Sequence, residues 1–323
     1  MSGDDARWMG AALALSDRGV GRTGLNPPVG CVLVADGRVV GRGWTQPGGR
    51  PHAEAMALAA AGDKARGATA YVTLEPCAHE SARGPACAET LVAAGIARVV
   101  VAATDPDPRT DGRGIARLRA ADIAVTSGVR ADEAQTVMAG FFSRLQRGRP
   151  CVTLKLAVSL DGSVAMASGQ SKWITGERAR AHAHLERARA DLIIVGRGTL
   201  DADNPRLDVR LVGLEDRSPA MAVMSAADVA VPDGRHIANP AALAALTDTN
   251  LVLAEGGAGL ATSLIAADLV DRLLLYRAPI LIGGRPALSA IGLGDLANAH
   301  GRWRAAPIID LGPDRLETYH RIR

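Results

Sequence analysis

The chain has 323 residues, of which 48% are hydrophobic and 22% are charged, and its formal net charge is +3. This is the composition of a folded globular protein, and the length predicts two domains rather than one core. The small net charge and the scarcity of aromatic residues (3%) argue against a nucleic-acid-binding groove. Because no apolar run is long enough to cross a membrane and the N-terminus does not resemble a signal peptide, we expect a cytoplasmic protein.

The first half alternates helical and strand patterns. Apolar spacing predicts a helix over 5–18, and the runs 29–35 and 38–44 predict two strands joined by an Asp-Gly turn. The segments that follow are a helix over 52–61, a strand over 69–74 leading directly into a helical segment, a helix over 85–94, a strand over 98–103, a helix over 115–121, a strand over 123–126 and a helix over 131–146. This order predicts a layered α/β domain, with a linker at 147–150.

The stretch from His52 to Cys87 carries the clearest chemical signal. Zinc readily binds the imidazole of His52 and the thiols of Cys77 and Cys87, and three protein ligands leave a fourth tetrahedral position open, as in catalytic sites. Glu54 lies two residues after His52, where its carboxylate could transfer protons. The H-x-E and P-C elements match the signature of zinc nucleobase deaminases, although nine residues rather than two separate the cysteines.

Other interpretations of these residues stay open at this point. Cys77 and Cys87 could be buried core thiols, or they could hold a purely structural zinc, which would leave Glu54 without a task. A nucleic-acid deaminase with an added binding domain would share the motif, and so would a free-nucleoside deaminase fused to an unrelated module. Four cysteines in all do not suggest a disulfide framework.

The second half also reads as α/β, with strands predicted over 152–158, 191–196, 251–255, 270–278 and 316–320. After the strand at 251–255 come Gly256-Gly257-Ala258-Gly259 and an apolar helix. Glycines at a helix N-terminus let backbone N–H groups approach a phosphate. The third glycine of the dinucleotide fingerprint is absent, with Thr262 in its place, so a simple strand-to-helix turn is an equal alternative.

Several motifs resemble the bifunctional deaminase/reductase of riboflavin biosynthesis. They are N-P-P-V-G-C at 26–31, P-H-A-E at 51–54, T-L-E-P-C-A-H at 73–79, D-P-D-P at 105–108, S-L-D-G at 159–162 and A-D-N-P-R-L at 202–207. The resemblance covers nearly the whole chain and is weakest from about 212 to 246. Residues 81–84 depart from the family by carrying one residue more than usual.

This resemblance implies a cytidine-deaminase-like three-layer α/β/α domain over 1–147 and a dihydrofolate-reductase-like α/β domain over 148–323. The first would use zinc to deaminate 2,5-diamino-6-(5-phosphoribosylamino)pyrimidin-4(3H)-one by hydrolysis. The second would use NADPH to reduce the ribosyl group, giving 5-amino-6-(5-phosphoribitylamino)uracil. We also expect a homo-oligomer, either a dimer or a tetramer.

The resemblance further assigns His52, Cys77 and Cys87 to the metal and Glu54 to catalysis. The substrate contacts that it implies are Asn26, His79, Lys155, Ser171, Arg187, Leu207, Arg210 and Glu255. The cofactor contacts that it implies are Ala157, Trp173, Thr199, Asp203, Ser225, Gly257, Ala258, Gly259, Leu260, Ala261, Thr262 and Ser263. An arginine and an aspartate that the family usually has fall on Ala220 and Met224. From the residues alone, Asn26 could equally cap a loop and His79 could be a partly exposed histidine.

Overall fold

The computed structural model describes residues 3–79 and 84–323, so residues 81–83 of the departure noted above lie outside the described residues. The chain divides into two compact units, Met1–Arg147 and Gly148–Arg323. Within the described ranges, no helix is both long enough and apolar enough to span a membrane.

In the described part of the first unit, five strands form one sheet in the order β2-β1-β3-β4-β5. The elements are α1 (Gly3–Ser16), β1 (Gly30–Ala35), β2 (Arg38–Trp44), α2 (Ala53–Ala61), β3 (Thr69–Leu74), α3 (Cys87–Ala93), β4 (Arg98–Ala103), α4 (Arg113–Ala120), β5 (Ala124–Ser127), α5 (Ala131–Val137) and α6 (Ala139–Arg147). Strand β1 is antiparallel to both neighbours, whereas β3, β4 and β5 are parallel. The strands β1, β3 and β4 are buried along almost their whole length, so both faces of the sheet are covered.

Two glycines of β2 set the position of the metal-site helix. A Cβ at Gly41 would lie 2.2 Å from the Ala57 carbonyl oxygen, and one at Gly43 would lie 2.4 Å from that of Ala53. Helix α2 can therefore pack directly on the strand only because these positions have no side chain. This close packing fixes the start of α2, and with it the residues at the helix N-terminus.

Two predictions for the first unit are wrong. The predicted helix over 131–146 is two helices that break at Met138, whose backbone (φ −99°, ψ 21°) leaves the helical region. Met138, Phe141 and Phe142 are all buried, as they would be on one continuous helix, so apolar spacing does not reveal the break. Residues 75–79 are non-helical instead of opening a helix, and α3 begins only at Cys87.

The second unit, described in full, contains a nine-stranded sheet in the order β10-β9-β8-β11-β6-β12-β16-β14, with β15 also paired to β16. Its elements are β6 (Cys151–Val158), β7 (Ser163–Ala165), α7 (Glu177–Ala188), β8 (Leu192–Gly196), α8 (Arg197–Asp203), β9 (Ala220–Met224), β10 (Gly234–Ile237), α9 (Pro240–Ala244), β11 (Leu251–Glu255), α10 (Ala258–Ala266), β12 (Val270–Arg277), β13 (Arg285–Pro286), β14 (Trp303–Ala305), β15 (Ile309–Leu311) and β16 (Asp314–Arg321). The strands from β10 to β12 in this order are parallel, and β16 joins antiparallel.

The carboxyl ends of the parallel strands lie at one edge of this sheet. At this edge β8 leads into α8 and the neighbouring strand β11 leads into α10. A Cβ at Gly256 would lie 3.6 Å from the backbone nitrogen of Gly196, so the two strand ends are adjacent. In open α/β sheets this edge is where ligands bind.

The predicted linker contributes to the second unit. Arg149 forms a two-bond ion pair with Asp271 at 2.8 Å, and the exposed fractions of the two side chains are 12% and 9%. This ion pair therefore fixes the position of the residues that lead into β6.

Candidate active sites

The three metal ligands predicted in the first unit lie together. His52 is the N-cap of α2, with an extended backbone (φ −70°, ψ 161°), so its side chain lies at the helix end. Its Nδ1 is 3.1 Å from the Cys87 Sγ and 3.7 Å from the Cys77 Sγ, and all three ligand atoms lie within 4.8 Å of one another. Zinc bonds of about 2.0 to 2.3 Å in a tetrahedral arrangement require ligand atoms roughly 3.5 Å apart. The residues fit a zinc ion.

The two cysteines share a polar environment that favours a thiolate. The thiol of Cys87 hydrogen-bonds to the sulfur of Cys77, and this bond, with further help from His52 and from the Cys87 backbone N–H, lowers the pKa of Cys77 to about 4. The thiolate is the form of cysteine that binds metals. One thiolate is therefore ready at neutral pH before any ion binds.

Glu54 lies in the first turn of α2 and its side chain is buried, with the residue 3% exposed. Burial raises the pKa of the Glu54 carboxyl, although nearby His52 partly opposes this. The same carboxyl hydrogen-bonds to Cys87, so it lies beside the ligand cluster. A carboxyl with a raised pKa next to a metal site is suited to giving and taking protons at neutral pH.

A cavity of about 390 Å³ opens onto the ligand cluster. Asn26 and His79 both line it, together with His52, Glu54 and Cys77. Other lining residues had no predicted site role, among them Arg50, Asp105, Asp107, Arg109, Phe141 and Arg144. The D-P-D-P motif pointed to the two aspartates, but no local signal pointed to the two residues of α6.

The loop that carries Asn26 depends on a glycine. Gly49 has a left-handed backbone (φ 85°), and a Cβ there would lie 2.0 Å from the Asn26 Nδ2. The Asn26 amide donates to the Thr23 carbonyl at 3.1 Å, while His79 Nδ1 lies 3.4 Å from the Thr110 hydroxyl. Both predicted pyrimidine contacts are thus held in place from outside the cavity.

Glu75 ties the Cys77 segment to the loop after β4. Its carboxylate accepts hydrogen bonds from the backbone N–H groups of Asp105, Gly112 and Ile115 at 3.3, 3.0 and 3.0 Å. Burial raises the pKa of Asp105 to about 7, so this carboxyl in the cavity wall titrates near neutral pH. The E-P-C motif thereby places a metal ligand and one wall of the cavity at the same time.

In the second unit, three predicted substrate residues meet at the end of β11. Glu255 is buried, and its carboxylate accepts two hydrogen bonds from Arg187 of α7 and lies 3.7 Å from the Nζ of Lys155 on β6. Burial opposes ionisation of Glu255, but Lys155 and Arg187 together outweigh it and lower its pKa. The group is a fixed charge cluster rather than a set of scattered surface charges.

The other predicted substrate residues of this unit lie in different surroundings. The backbone N–H of Arg210 donates to His184 Nδ1 at 3.3 Å, so the segment carrying Arg210 is fixed to α7. Leu207 is buried in the core, and Ser171 is exposed in the loop between β7 and α7. His184 was not predicted, and a lone histidine on a helix gives no signal by itself.

The predicted cofactor residues lie mainly along the carboxyl edge of the sheet. Gly257 caps α10, whose first turns hold the other residues of the 257–263 segment, and Thr199 and Asp203 lie on α8. Asp203 pairs with Lys172 at 3.1 Å. Because β8 and β11 are neighbours, both segments begin at the carboxyl edge of the sheet.

Thr262 and three further predicted cofactor residues have defined surroundings. Thr262 accepts a hydrogen bond from the Ser289 backbone, and the Ser225 hydroxyl donates to the Ala227 carbonyl. Ala157 lies on β6 opposite Tyr276. Trp173 is 70% exposed and carries the Arg180 guanidinium 4.7 Å from its ring centroid. On β9, Ala220 is exposed and Met224 is buried, so Met224 packs in the core.

Two family models match separate parts of the chain. Residues 2–103 match the family model of the cytidine and deoxycytidylate deaminase zinc-binding region, and residues 150–315 match that of the RibD C-terminal domain. The riboflavin biosynthesis protein RibD of Escherichia coli (strain K12) is 38% identical, covering 96% of this chain and 97% of its own. RibD of Mycobacterium tuberculosis (strain H37Rv) is 40% identical over 95% of each chain.

Solved structures give the same result for the fold. RibD of Acinetobacter baumannii, form 1, has a TM-score of 0.85 at 35% identity and covers 99% of each chain. A diaminohydroxyphosphoribosylaminopyrimidine deaminase/5-amino-6-(5-phosphoribosylamino)uracil reductase from Thermotoga maritima has a TM-score of 0.87 at 29% identity, covering 98% of this chain and 99% of its own. The predicted fold class is confirmed, and the match of the second half contradicts the alternative of an unrelated C-terminal module.

Proposed function

The chain belongs to the RibD family of riboflavin-biosynthesis proteins, a bifunctional zinc-dependent deaminase and NADPH-dependent reductase, and we propose how its own residues divide the two reactions. Residues 1–147 deaminate 2,5-diamino-6-(5-phosphoribosylamino)pyrimidin-4(3H)-one. Residues 148–323 then reduce the ribosyl group of the resulting uracil to the ribityl group.

In the deaminase unit, His52, Cys77 and Cys87 hold the zinc ion. A bound zinc lowers the pKa of a water ligand to about 7 and so supplies a nucleophile at neutral pH. The Glu54 carboxylate would accept a proton from the attacking water and deliver it to the departing amino group, for which its raised pKa is suited. Asn26 and His79 orient the pyrimidine ring, since both line the cavity above the ligands.

One observation supports the deaminase assignment most strongly. The three ligand atoms lie within 4.8 Å of one another at a cavity of about 390 Å³ that Glu54 also lines. A purely structural zinc site is usually closed by four protein ligands and leaves no room for a substrate. The combination of three ligands, an acid–base carboxyl and a cavity indicates catalysis.

In the reductase unit, the charge cluster at the end of β11 binds the substrate. Arg210 suits its phosphate because a planar guanidinium can bind two oxygens at once, and Arg187, whose fork is engaged by Glu255, contributes positive charge beside it. Lys155 and Glu255 orient the ribosyl chain, and Ser171 and Leu207 complete the contacts. When bound, NADPH supplies the hydride that reduces C1 of the ribosyl group, and the chain provides orientation.

The cofactor is held along the carboxyl edge of the sheet. The backbone N–H groups at the start of α10, from Gly257 onward, suit a phosphate because the helix dipole favours negative charge there. The remaining cofactor contacts are Ala157, Trp173, Thr199, Asp203, Ser225 and the rest of 257–263. Homo-oligomerisation and a cytoplasmic location stay predictions.

Absorbance at 340 nm tests both assignments in one assay. Wild-type protein with zinc and NADPH should consume NADPH when given the diaminopyrimidinone ribosyl phosphate. The Glu54→Gln variant should do so only when given the deaminated substrate, because only the first reaction needs that carboxyl. Glu89→Gln removes a half-buried carboxylate of the same unit, ion-paired to Arg117, and should behave as wild type.

Two results would contradict the proposal in separate ways. Ammonia release without NADPH consumption on either substrate would remove the reductase assignment. Full ammonia release by Glu54→Gln would remove the catalytic role of Glu54.

A further inference from the structure

The 207–210 segment of the second unit contains two of the predicted substrate residues, Leu207 and Arg210. Leu207 is buried and has a left-handed backbone (φ 54°), a conformation that leucine rarely adopts. A strained backbone of this kind persists only where the surrounding structure holds it, and such residues cluster at binding sites. The contacts that hold this segment are therefore part of how the reductase unit prepares for its substrate.

Helix α7 holds the segment through two of its backbone groups. The Nη1 of Arg187 donates to the Asp208 carbonyl at 3.0 Å, and the backbone N–H of Arg210 donates to the Nδ1 of His184 at 3.3 Å. His184 and Arg187 are three residues apart, so they lie on the same face of the helix. Arg187 thus anchors one end of the segment, and His184 anchors the end that carries Arg210.

The hydrogen bond from Arg210 determines which nitrogen of His184 carries the proton. A backbone N–H group only donates, so Nδ1 accepts and the proton of the neutral ring is on Nε2. Nε2 lies 3.5 Å from the Nη2 of Arg210, and because both atoms then carry hydrogen, this contact is not a hydrogen bond. His184 therefore fixes the backbone of Arg210 without binding its guanidinium.

The charges around His184 favour its neutral form. Arg187 of the same helix and Arg210 of the segment are the cations that act on the ring, and Glu255 of β11 is the anion. Burial and the two arginines lower the pKa of His184, and Glu255 and the Asp208 backbone oppose this only in part. A protonated ring would carry hydrogen on Nδ1 as well, so it could no longer accept from the Arg210 N–H.

We propose that His184 is a positioning residue of the reductase, which in its neutral form holds the 207–210 segment in the conformation that binds the substrate. This rests on the proposed reductase function and on the assignment of Arg210 to the substrate phosphate. His184 acts through the backbone of Arg210 and takes no part in the hydride transfer itself.

The test measures NADPH consumption by the full-length protein with two forms of the deaminated substrate, the ribosyl phosphate and the same riboside without phosphate. His184→Leu removes the acceptor and keeps a bulky side chain. Its KM for the phosphorylated form should rise on the order of three- to tenfold with kcat little changed, because a hydrogen bond that places a binding group is lost. Its KM for the riboside should change little, since the riboside has no phosphate for Arg210 to bind. If the riboside is not reduced, its inhibition constant against the phosphorylated form replaces KM.

Two further variants of α7 separate positioning from a general effect on the helix. His184→Asn provides an amide oxygen near the place of Nδ1, so it can still accept from the Arg210 N–H, and its KM at neutral pH should return toward the wild-type value. His182→Leu removes a second histidine of the same helix, whose Nδ1 lies 2.8 Å from the Tyr276 hydroxyl. This variant should leave the ratio of the two KM values unchanged.

A pH profile gives a readout that a purely structural role would not move. The wild type should lose kcat/KM for the phosphorylated form as the pH falls through the pKa of His184, which lies below the ordinary value of 6.5, because protonation removes the acceptor. His184→Asn has no group that titrates at this position. The substrate phosphate titrates at about pH 6 with both proteins, so the quantity compared is the ratio of wild type to His184→Asn. This ratio should fall at low pH by the same three- to tenfold, on the order of one hydrogen bond.

Equal KM increases for both substrate forms in His184→Leu, or no increase for either, would overturn the role of His184. A ratio of wild type to His184→Asn that does not change with pH would overturn it too. A KM increase confined to the phosphorylated form, together with a ratio that falls at low pH, supports it. If His184→Leu does not fold, the pH dependence of the ratio decides.

Failure of the proposed function would be seen separately. A wild type that consumes no NADPH with the phosphorylated form would overturn the reductase assignment itself. An unchanged KM in Arg210→Gln would overturn the assignment of Arg210 to the phosphate, whatever His184→Leu shows.

Discussion

Arg187 and Glu255 are 68 residues apart in sequence and form a two-bond ion pair, with Nε–Oε1 and Nη2–Oε2 distances of 2.7 and 3.0 Å. The pair joins helix α7 to the end of strand β11. Lys155 lies 3.7 Å from the same carboxylate, so one buried acid organises two cations. The arrangement presents positive charge in a fixed geometry at the edge of the sheet where we expect the substrate.

Glu255→Gln should weaken reduction without affecting deamination. Losing the charge on this side chain releases both Arg187 and Lys155, and a hydrogen bond to a charged partner is worth about 1.5 to 3 kcal/mol. We therefore expect kcat/KM for the deaminated substrate, measured by NADPH consumption, to fall on the order of tenfold to a hundredfold.

Glu317→Gln is the matched control for this variant, because Glu317 also pairs with an arginine of the second unit, Arg277, at 2.8 Å. It should keep wild-type reduction. Equal loss in the two variants would mean that Glu255 acts on stability only.

The stability of the second unit should depend on pH through Glu255. Its folded-state pKa lies below the ordinary value of 4.5, so its stabilising contribution is complete above pH 4.5 and is lost as the pH falls through the lowered pKa. The unfolding free energy of the wild type, measured by urea denaturation below pH 4.5, should therefore decrease more steeply than that of Glu255→Gln. Glu177→Gln, at an exposed position on α7, should keep the wild-type slope. Parallel slopes in wild type and Glu255→Gln would contradict the prediction.

Removing a proposed metal ligand should remove the metal. Cys77→Ser replaces a thiolate with a poorer zinc ligand, so zinc content measured by atomic absorption should fall from about one ion per chain toward zero, with loss of ammonia release. Cys151→Ser changes a buried cysteine of the second unit and should keep the zinc. Undiminished zinc in Cys77→Ser would show that the ion is held elsewhere.

Gly114→Ala should disturb the metal site from outside it. A Cβ at Gly114 would lie 1.9 Å from the Pro76 carbonyl oxygen, so the segment before Cys77 must move. Overpacking of this kind costs about 1 to 3 kcal/mol, and we expect a lower melting temperature together with weaker zinc retention against a chelator. Gly3→Ala, where a Cβ meets nothing within 4 Å, should show neither effect. Normal zinc retention in Gly114→Ala would mean that the loop absorbs the added methyl group.

The sequence by itself determined most of the local structure and the metal ligands. Short apolar runs predicted β3 and β4 with the bounds that the structure has, and the Asp-Gly pair predicted the first hairpin, where Asp36 and Gly37 both take a left-handed backbone (φ 49° and 70°). These features depend on residues close together in the chain. The predicted zinc ligands His52 and Cys77 were equally accessible, because H-x-E and P-C are short motifs whose residue types fit the metal's own preferences. Cys87 lies outside the general spacing, and the family resemblance supports its assignment.

Only the tertiary structure decided how the sites are completed. The contact of Arg144 with Leu25 joins residues 119 apart, and the bonds from Glu75 fix a loop 30 to 40 residues away. The break at Met138 was hidden because both helices continue one buried face. Such contacts follow from the packing of whole elements against one another. Neither periodicity nor a short motif predicts which two side chains, far apart in the sequence, will be in contact.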